Sequence, residues 1–239
     1  THPQLDHVGG LTSVARKFAL GRYWGNGIDR EERFHQRLRD ELRAKGIPEE
    51  RAEAGLVLAE SPSCRMVVLN PPRAENGPAD GRHGPDTEVR RDGSTLNNLS
   101  VVTRLVCGAH TFLFAADIES KAMQRLLDHG DALQSEVLKV PHHGALSSLH
   151  DEWIRLVHAG DAVVSVGPHN PYGHPVASVL TAYREVGSHV WITREEGAVW
   201  VTASIGGPGL HIHSARERAL HPVVPGSSIM MGEESANLT

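Results

Sequence analysis

The first ten residues, Thr-His-Pro-Gln-Leu-Asp-His-Val-Gly-Gly, contain side chains that commonly bind metal ions in proteins. His2, Asp6 and His7 lie within six positions, and Gly9 and Gly10 let the backbone pass close to an ion. Neutral imidazole and carboxylate groups are the ligands of zinc, manganese or iron in hydrolytic sites. The same pattern also suits a helix N-terminus capped by Asp6, with two surface histidines. This motif alone leaves both interpretations open.

Polar side chains also follow three apolar segments further along the sequence. Asp117 ends the first segment, His142 and His143 follow the second, and His174 follows the third. If these segments are neighbouring strands of one sheet, the side chains beyond their ends meet at one edge. Asp117 could instead cap the next helix, and His174 could belong to a turn opened by Pro175. Together with the first motif, the pattern predicts a metal-hydrolase site built from loops.

The elements that must position these residues follow an alternating pattern after residue 99. The sequence predicts strands at residues 99–106, 111–116, 136–140, 162–166, 189–193 and 198–203, and helices at residues 119–129, 151–158 and 176–186. Such alternation is typical of a sheet covered by helices.

The first part of the chain has a different pattern. A helix is predicted at residues 11–18, and an amphipathic helix at residues 29–45, with Asp29 as N-cap and Glu32 completing a capping box. A short buried strand is predicted at residues 65–69, and residues 73–94 are rich in Gly and Pro, as in a long loop.

These patterns predict one domain at residues 1–205. It carries a helical and loop insertion at about residues 21–95, and a weakly ordered tail follows at residues 206–239. The two cysteines, Cys64 and Cys107, each lie in an apolar run, and we expect buried free thiols.

The composition of the chain argues against a membrane span and against a long polyanionic partner. Hydrophobic residues make up 39% of the 239 residues, without an apolar run of the roughly 18 residues that a membrane-spanning helix needs. The formal net charge is −5 and the sequence shows no basic patch, which disfavours a long polyanion. The sequence therefore predicts a cytoplasmic chain with no membrane segment, although residues upstream of Thr1 could carry a signal or a membrane domain.

Taken in order, the motifs resemble the metallo-β-lactamase-like domain of the ComEC family of DNA-uptake channel proteins. They are residues 2–10, Asn-Asn-Leu-Ser at 97–100, Ala-Asp at 116–117, Lys-Val-Pro-His-His-Gly-Ala at 139–145 and Tyr-Gly-His-Pro at 172–175. Their order and spacing match the family from residue 1 to about residue 202. The resemblance implies an α/β fold, the αββα sandwich of the metallo-β-lactamase superfamily. The first strands of that fold would precede Thr1, so the chain is expected to be N-terminally truncated.

The resemblance also implies a set of metal ligands. His2 would serve a first metal position, and Asp6, His7 and His142 a second. Asp117 would bridge the two positions. One or two zinc ions are implied, and manganese is an alternative. Gln4 stands where the superfamily usually has a histidine, which weakens the first position.

Catalytic and substrate-binding roles follow from the same resemblance. Asp6 or Asp117 would orient a metal-activated hydroxide for attack on phosphorus or carbonyl carbon, and His174 or a second metal would stabilise the leaving oxyanion. The residues implied around the substrate are Asn98, Ser100, His143 and His174.

The leading hypothesis is a phosphodiesterase or nuclease-like hydrolase. Its substrate would be a phosphoester-type small molecule or a single-stranded nucleic acid, and the sequence identifies no protein partner. One alternative is a degenerate domain with a binding or structural role, which Gln4 favours. The other is a thioesterase or lactonase of the same superfamily.

Overall fold

The computed structural model describes residues 1–73 and 93–220 of the chain. Its strands are β1 Tyr23–Gly25, β2 Glu49–Arg51, β3 Val57–Glu60, β4 Cys64–Asn70, β5 Val102–Cys107, β6 His110–Phe114, β7 Val137–Lys139, β8 Asp161–Val164, β9 His189–Ile192, β10 Val199–Ala203 and β11 Leu210–Ser214. Its α-helices are α1 Leu5–Val8, α2 Leu11–Lys17, α3 Arg33–Ala44, α4 Gly93–Asn98, α5 Ser120–Leu126, α6 Asp151–Val157, α7 Ala177–Glu185, α8 Thr193–Glu196 and α9 Ala215–Leu220. Most of the loop predicted at residues 73–94 lies outside the described residues.

A seven-stranded sheet with the strand order β3-β4-β5-β6-β7-β8-β9 forms the centre of the fold. The pairs from β3 to β6 are antiparallel, and those from β6 to β9 are parallel. Parallel neighbours need crossover connections, which α5, α6 and α7 provide. The predicted α/β class is therefore confirmed. The carboxyl ends of β6, β7 and β8 consequently lie at one edge of the sheet.

The main hydrophobic core lies between this sheet and helices α5, α6 and α7. Leu113 and Leu138 come from the strands, and Met123, Trp153 and Tyr183 come from the helices; all five side chains are fully buried. Each such burial stabilises the fold by about 1.5–3 kcal/mol. This packing fixes the strand ends from which the polar loops emerge.

A smaller cluster surrounds helix α3. Leu38 and Leu42, four residues apart, are buried against Val8 of α1 and Ala15 of α2. This confirms the amphipathic pattern of the predicted helix. Because α1 carries Asp6 and His7, the cluster also positions the first candidate motif.

The predicted start of α3 was wrong. The helix begins at Arg33 with Glu32 in the N-cap position, and no side chain caps it. Both expected capping acids contact arginines instead: Glu32 accepts a hydrogen bond from Arg30 Nε (2.9 Å), and Asp29 pairs with Arg39. Charge pairing with nearby arginines thus replaces the capping box.

The expectation of free thiols was also wrong. Cys64 and Cys107 form a disulfide, with a Cα–Cα distance of 4.1 Å. They are direct partners in the antiparallel register of β4 and β5, and that register brings together residues 43 apart in sequence.

Three further differences between the predicted and the observed segments change the description of the fold. Residues 93–98 form α4, and the strand predicted at 99–106 begins only at Val102. Strands β3 and β4 lie inside the predicted insertion but belong to the large sheet. Strand β11 and helix α9 lie inside the predicted tail, where β11 pairs with β10. The rest of the tail, beyond residue 220, lies outside the described residues.

A buried histidine links the β10–β11 hairpin to the large sheet. His110 Nε2 donates to the carbonyl oxygen of Gly207 (3.1 Å), and its Nδ1 lies 3.1 Å from a carboxylate oxygen of Glu136.

Within residues 1–73 and 93–220, every helix falls short of the length and apolar character needed to cross a membrane.

Candidate metal centre

Asp117 lies three residues after β6 ends, at the edge of the sheet where the carboxyl ends of β6, β7 and β8 meet. Its side chain is 1% exposed, and its Oδ2 lies 2.9 Å from His7 Nε2 and 3.3 Å from His143 Nε2. Burial alone would raise the pKa of Asp117. The close contact with His143, the hydrogen bond from His7 and the charge of Lys139 outweigh that effect and hold the pKa well below its usual range. Asp117 is therefore a fixed anion at the end of an apolar strand.

Helix α1 brings Asp6 and His7 to this carboxylate. The carboxylate of Asp6 is 58% exposed, and its Oδ2 lies 3.6 Å from His7 Nε2 and 3.4 Å from His143 Nε2. The contact with His143 is the main reason that the pKa of Asp6 is lowered. Two of the three side chains of the first motif, Asp6 and His7, thus lie together beside Asp117 and His143.

His143 completes the group from the loop that follows β7. Its Nδ1 donates to the carbonyl oxygen of Ser165 (2.7 Å), which directs Nε2 toward Asp6 and Asp117. Nε2 is buried but has no well-aligned hydrogen bond. Asp117 and Asp6 raise the pKa of His143 to about 9. A histidine fixed by a carbonyl at one nitrogen, with the other nitrogen aimed at carboxylates, has the geometry of a metal ligand.

Local backbone conformation decides which of the paired histidines faces the carboxylates. His142 (φ 46°) and His143 (φ 53°) are both left-handed, and so is Gly144 (φ 77°). A Cβ atom on Gly144 would lie 2.6 Å from the Cβ of Pro175, so the two loops pack together only with glycine there. This turn directs the two adjacent rings to different partners.

The structure does not bring His142 into the group. Its Nδ1 lies 3.0 Å from Ser147 Oγ and 3.2 Å from Glu119 Oε1, and burial lowers its pKa. His143, for which the resemblance implied a place at the substrate, lies beside Asp6 and Asp117, where the resemblance implied His142.

His2 lies next to the group without joining it. It is 2% exposed, its ring centroid lies 4.3 Å from that of His7, and its Nδ1 lies 3.0 Å from Ser100 Oγ. Burial lowers the pKa of His2 to about 4. Gln4 occupies the N-cap position of α1 and provides no side-chain capping bond.

Two residues expected at the substrate have structural contacts instead. Ser100 is fully buried against His2. Asn98 is also buried, and its Oδ1 accepts hydrogen bonds from the backbone of Glu119 (3.2 Å) and Ala122 (2.8 Å) at the start of α5. Neither side chain is available to a ligand in this conformation.

His174, expected in both catalysis and substrate binding, lies at the border of the site. Its ring centroid is 5.8 Å from that of His142, and Tyr172 stacks on it. Partial burial lowers the pKa of His174, so the ring is neutral at pH 7. It lies outside the group formed by Asp6, His7, Asp117 and His143.

Two charged residues of this edge, Lys139 and Glu119, have contacts that no motif predicted. Lys139 Nζ donates to the backbone oxygen of Ala116 (2.8 Å) and lies 3.3 Å from Asp117 Oδ1. Glu119 accepts hydrogen bonds from Asn97 Nδ2 (2.9 Å) and Ser147 Oγ (3.3 Å). Lys139 could have been noticed because it is a charged residue in an otherwise apolar strand. Glu119 carries no such signal.

Four side chains form a group that could hold a metal ion. Asp6, His7, Asp117 and His143 each offer one ligand atom, and these atoms lie within 4.8 Å of one another. Two imidazole nitrogens and two carboxylate oxygens suit zinc or manganese. The unsatisfied, buried Nε2 of His143 supports this fit, because a metal ion would provide its missing partner.

Comparison with known proteins agrees with the geometry. The model of the family described as metallo-beta-lactamase superfamily matches residues 1–169. The chain therefore belongs to the metallo-beta-lactamase superfamily, and the predicted fold is confirmed.

Three relatives show what the chain is similar to. It is 24% identical to ComE operon protein 3 of Bacillus subtilis over 83% of this chain. It is 32% identical to Competence protein ComA of Neisseria gonorrhoeae over 46% of the chain, and 32% identical to the protein YcaI of Escherichia coli over 52%. The resemblance to the ComEC family is thereby confirmed. The matched regions span 23%, 16% and 16% of these three relatives, respectively.

Proposed function

We propose that this chain is a metal-dependent hydrolase of phosphodiesters. The observation that carries the proposal is the convergence of four ligand atoms, from Asp6, His7, Asp117 and His143, at the loop edge of the sheet. A divalent ion bound there would act as a Lewis acid and bring the pKa of water close to neutrality. The superfamily and the donor set support this chemistry, with zinc or manganese as the ion.

The residues of the chain have distinct roles in this proposal. Asp117 is buried and surrounded by donors, so it acts as a fixed ligand. The carboxylate of Asp6 is 58% exposed, so it can both bind the ion and orient a water molecule. His174 is neutral at pH 7 and lies beside His142, where it can contact the leaving oxygen. We propose His143 as the fourth ligand, in place of His142.

The choice of phosphodiesters rests on the resemblance to a DNA-uptake family. Single-stranded nucleic acid and small phosphoesters both remain candidate substrates. The matched regions cover only 23%, 16% and 16% of the relatives, so the proposal takes from the family only the class of substrate.

Hydrolysis of bis(p-nitrophenyl) phosphate by the chain loaded with zinc or manganese tests this proposal. We expect turnover that chelation abolishes and that Asp117→Asn lowers at least about 100-fold, since it removes a ligand. Asp151→Asn, at a 67% exposed aspartate on α6, is the matched control and should not change turnover. A loaded chain that hydrolyses carboxylic esters or thioesters but no phosphodiester would contradict the proposed substrate. One that hydrolyses neither would favour a binding module.

We also propose that the domain works in an oxidising compartment, in contrast to the cytoplasmic location expected from sequence. The disulfide between Cys64 and Cys107 supports this, because stable disulfides are rare in the cytosol. In intact cells that make the parent protein, both thiols should resist alkylation until a reductant is added. Rapid alkylation without a reductant would contradict the proposed location.

A further inference from the structure

An exposed aromatic ring lies beside the candidate metal centre. Tyr172 is 79% exposed, and its ring stacks on His174 with a centroid distance of 5.9 Å and an interplanar angle of 18°. The ring of His174 lies 5.8 Å from that of His142, which in turn lies 6.4 Å from that of His143. A row of rings therefore leads from the proposed ligand His143 to the protein surface.

Hydrogen bonds fix the loop that carries this pair of rings. Asn170 Oδ1 accepts from the backbone nitrogen of Tyr172 (2.9 Å), and Asn170 Nδ2 donates to the carbonyl oxygen of His174 (2.7 Å). Arg194 also donates to that carbonyl (3.1 Å). Because both ends of the turn are bonded, the backbone that carries Tyr172 and His174 is fixed, and it would lose little further entropy when a ligand packs on the two rings.

Two other apolar side chains are exposed close in sequence to the candidate ligands. Leu5, which precedes Asp6, is 63% exposed, and Leu146, three residues after His143, is 62% exposed. A substrate with an apolar or aromatic part next to its charged group would match this combination of side chains.

We propose that Tyr172 and His174, here called the stacking pair, bind a base of a phosphodiester substrate while its phosphate lies at the metal centre. This inference rests on the proposed function. Stacking needs only the flat face that every base has, so the pair would accept many sequences. Stacking would also provide affinity for a nucleic acid without a long basic surface. The sequence is acidic and shows no basic patch. Tyr172 would then determine the preference for nucleotides over other phosphodiesters.

Binding of two oligomers of equal length and charge tests the role of the stacking pair. One is a short oligothymidylate, and the other has the same backbone with abasic sites in place of the bases. Fluorescence anisotropy with the metal-free and the metal-loaded chain gives the affinity without relying on turnover. We expect Tyr172→Ala to weaken oligothymidylate binding about tenfold and to leave abasic binding within about twofold. Tyr172→Phe, which keeps the ring, should bind like the unaltered chain.

The chain offers a matched control for this experiment. Trp200 of β10 is 41% exposed and stacks on His213, with a centroid distance of 5.3 Å and an interplanar angle of 12°, on a sheet that carries no proposed ligand. Trp200→Ala should leave the binding of both oligomers unchanged. Equal effects of Tyr172→Ala on the two oligomers, or no effect, would overturn the inference. The inference would also be overturned if Tyr172→Ala lost affinity for phospholipid vesicles while its binding of oligothymidylate stayed unchanged. That result would assign the stacking pair to a membrane surface. Failure of the proposed function appears separately, as absence of metal-dependent phosphodiester hydrolysis.

Discussion

The chemistry of this chain depends on which nitrogen of which histidine faces Asp117. Motif spacing brings His142 and His143 to the same turn, but their side chains point to different partners. The left-handed turn at 142–144 separates the two rings, and the hydrogen bond from His143 Nδ1 to the carbonyl oxygen of Ser165, 22 residues away in sequence, then fixes the orientation of His143. Backbone conformation and one hydrogen bond together therefore distinguish two adjacent, chemically identical side chains.

Metal affinity of two single variants tests this distinction. His143→Ala removes a proposed ligand and should weaken cobalt or zinc binding about 100-fold or more. His142→Ala should weaken it much less, because His142 contacts Glu119 and Ser147 instead of the cluster. Titration with cobalt, followed by its visible absorption, measures both affinities and reports a change in ligands. A larger loss for His142→Ala would contradict the assignment.

Stability of the metal-free protein should depend on pH through His143. Its pKa is raised from 6.5 to about 9 in the folded chain by Asp117 and Asp6. The folded state therefore binds a proton that the unfolded state loses above pH 6.5, so this stabilisation is complete below pH 6.5 and disappears as the pH rises through 9. Urea unfolding should show a loss of roughly 2 kcal/mol between pH 6.5 and pH 9 relative to His143→Gln. Parallel pH profiles for the two proteins would contradict this.

At the scale of elements, the parallel strands explain why the site could be found from sequence. Asp117 and the histidine pair follow apolar segments, and the carboxyl ends of β6 and β7 do lie side by side in the sheet. The sequence could not reveal that Asn98 caps α5, because that role depends on where helices α4 and α5 meet. The sequence also could not show that Cys64 pairs with Cys107, because that pairing depends on the register of β4 against β5.

The disulfide should contribute measurably to stability. It closes a loop of 43 residues, for which the chain-entropy treatment gives about 4 kcal/mol. Replacing both cysteines by serine should lower the free energy of unfolding by roughly 2–4 kcal/mol, as measured in urea. Metal affinity should be unchanged, since neither cysteine contacts the cluster. A reductant should destabilise the original chain as much as the double replacement does, and it should leave the double variant unaffected. A different result would show that the disulfide does not form.

At the scale of the whole molecule, the fold and its superfamily could be predicted from sequence, whereas the residues that lie together in the candidate metal centre could be predicted only in part. Asp6, His7 and Asp117 were expected together and lie together, because close spacing and strand ends determine their positions. His2 and His142 were expected with them and lie outside the four-residue group. Their positions depend on burial against Ser100 and on the left-handed turn at 142–144, and neither can be read from a motif.

The central claim is that Asp6, His7, Asp117 and His143 bind one common cation. Anomalous diffraction from crystals of the chain soaked with manganese or zinc tests it most directly, because it locates the ion without reference to turnover. We predict one strong anomalous peak at about 2.0–2.3 Å from an atom of each of these four side chains. A fully loaded crystal with no peak there, or with the ion bound only by histidines elsewhere in the chain, would contradict the account.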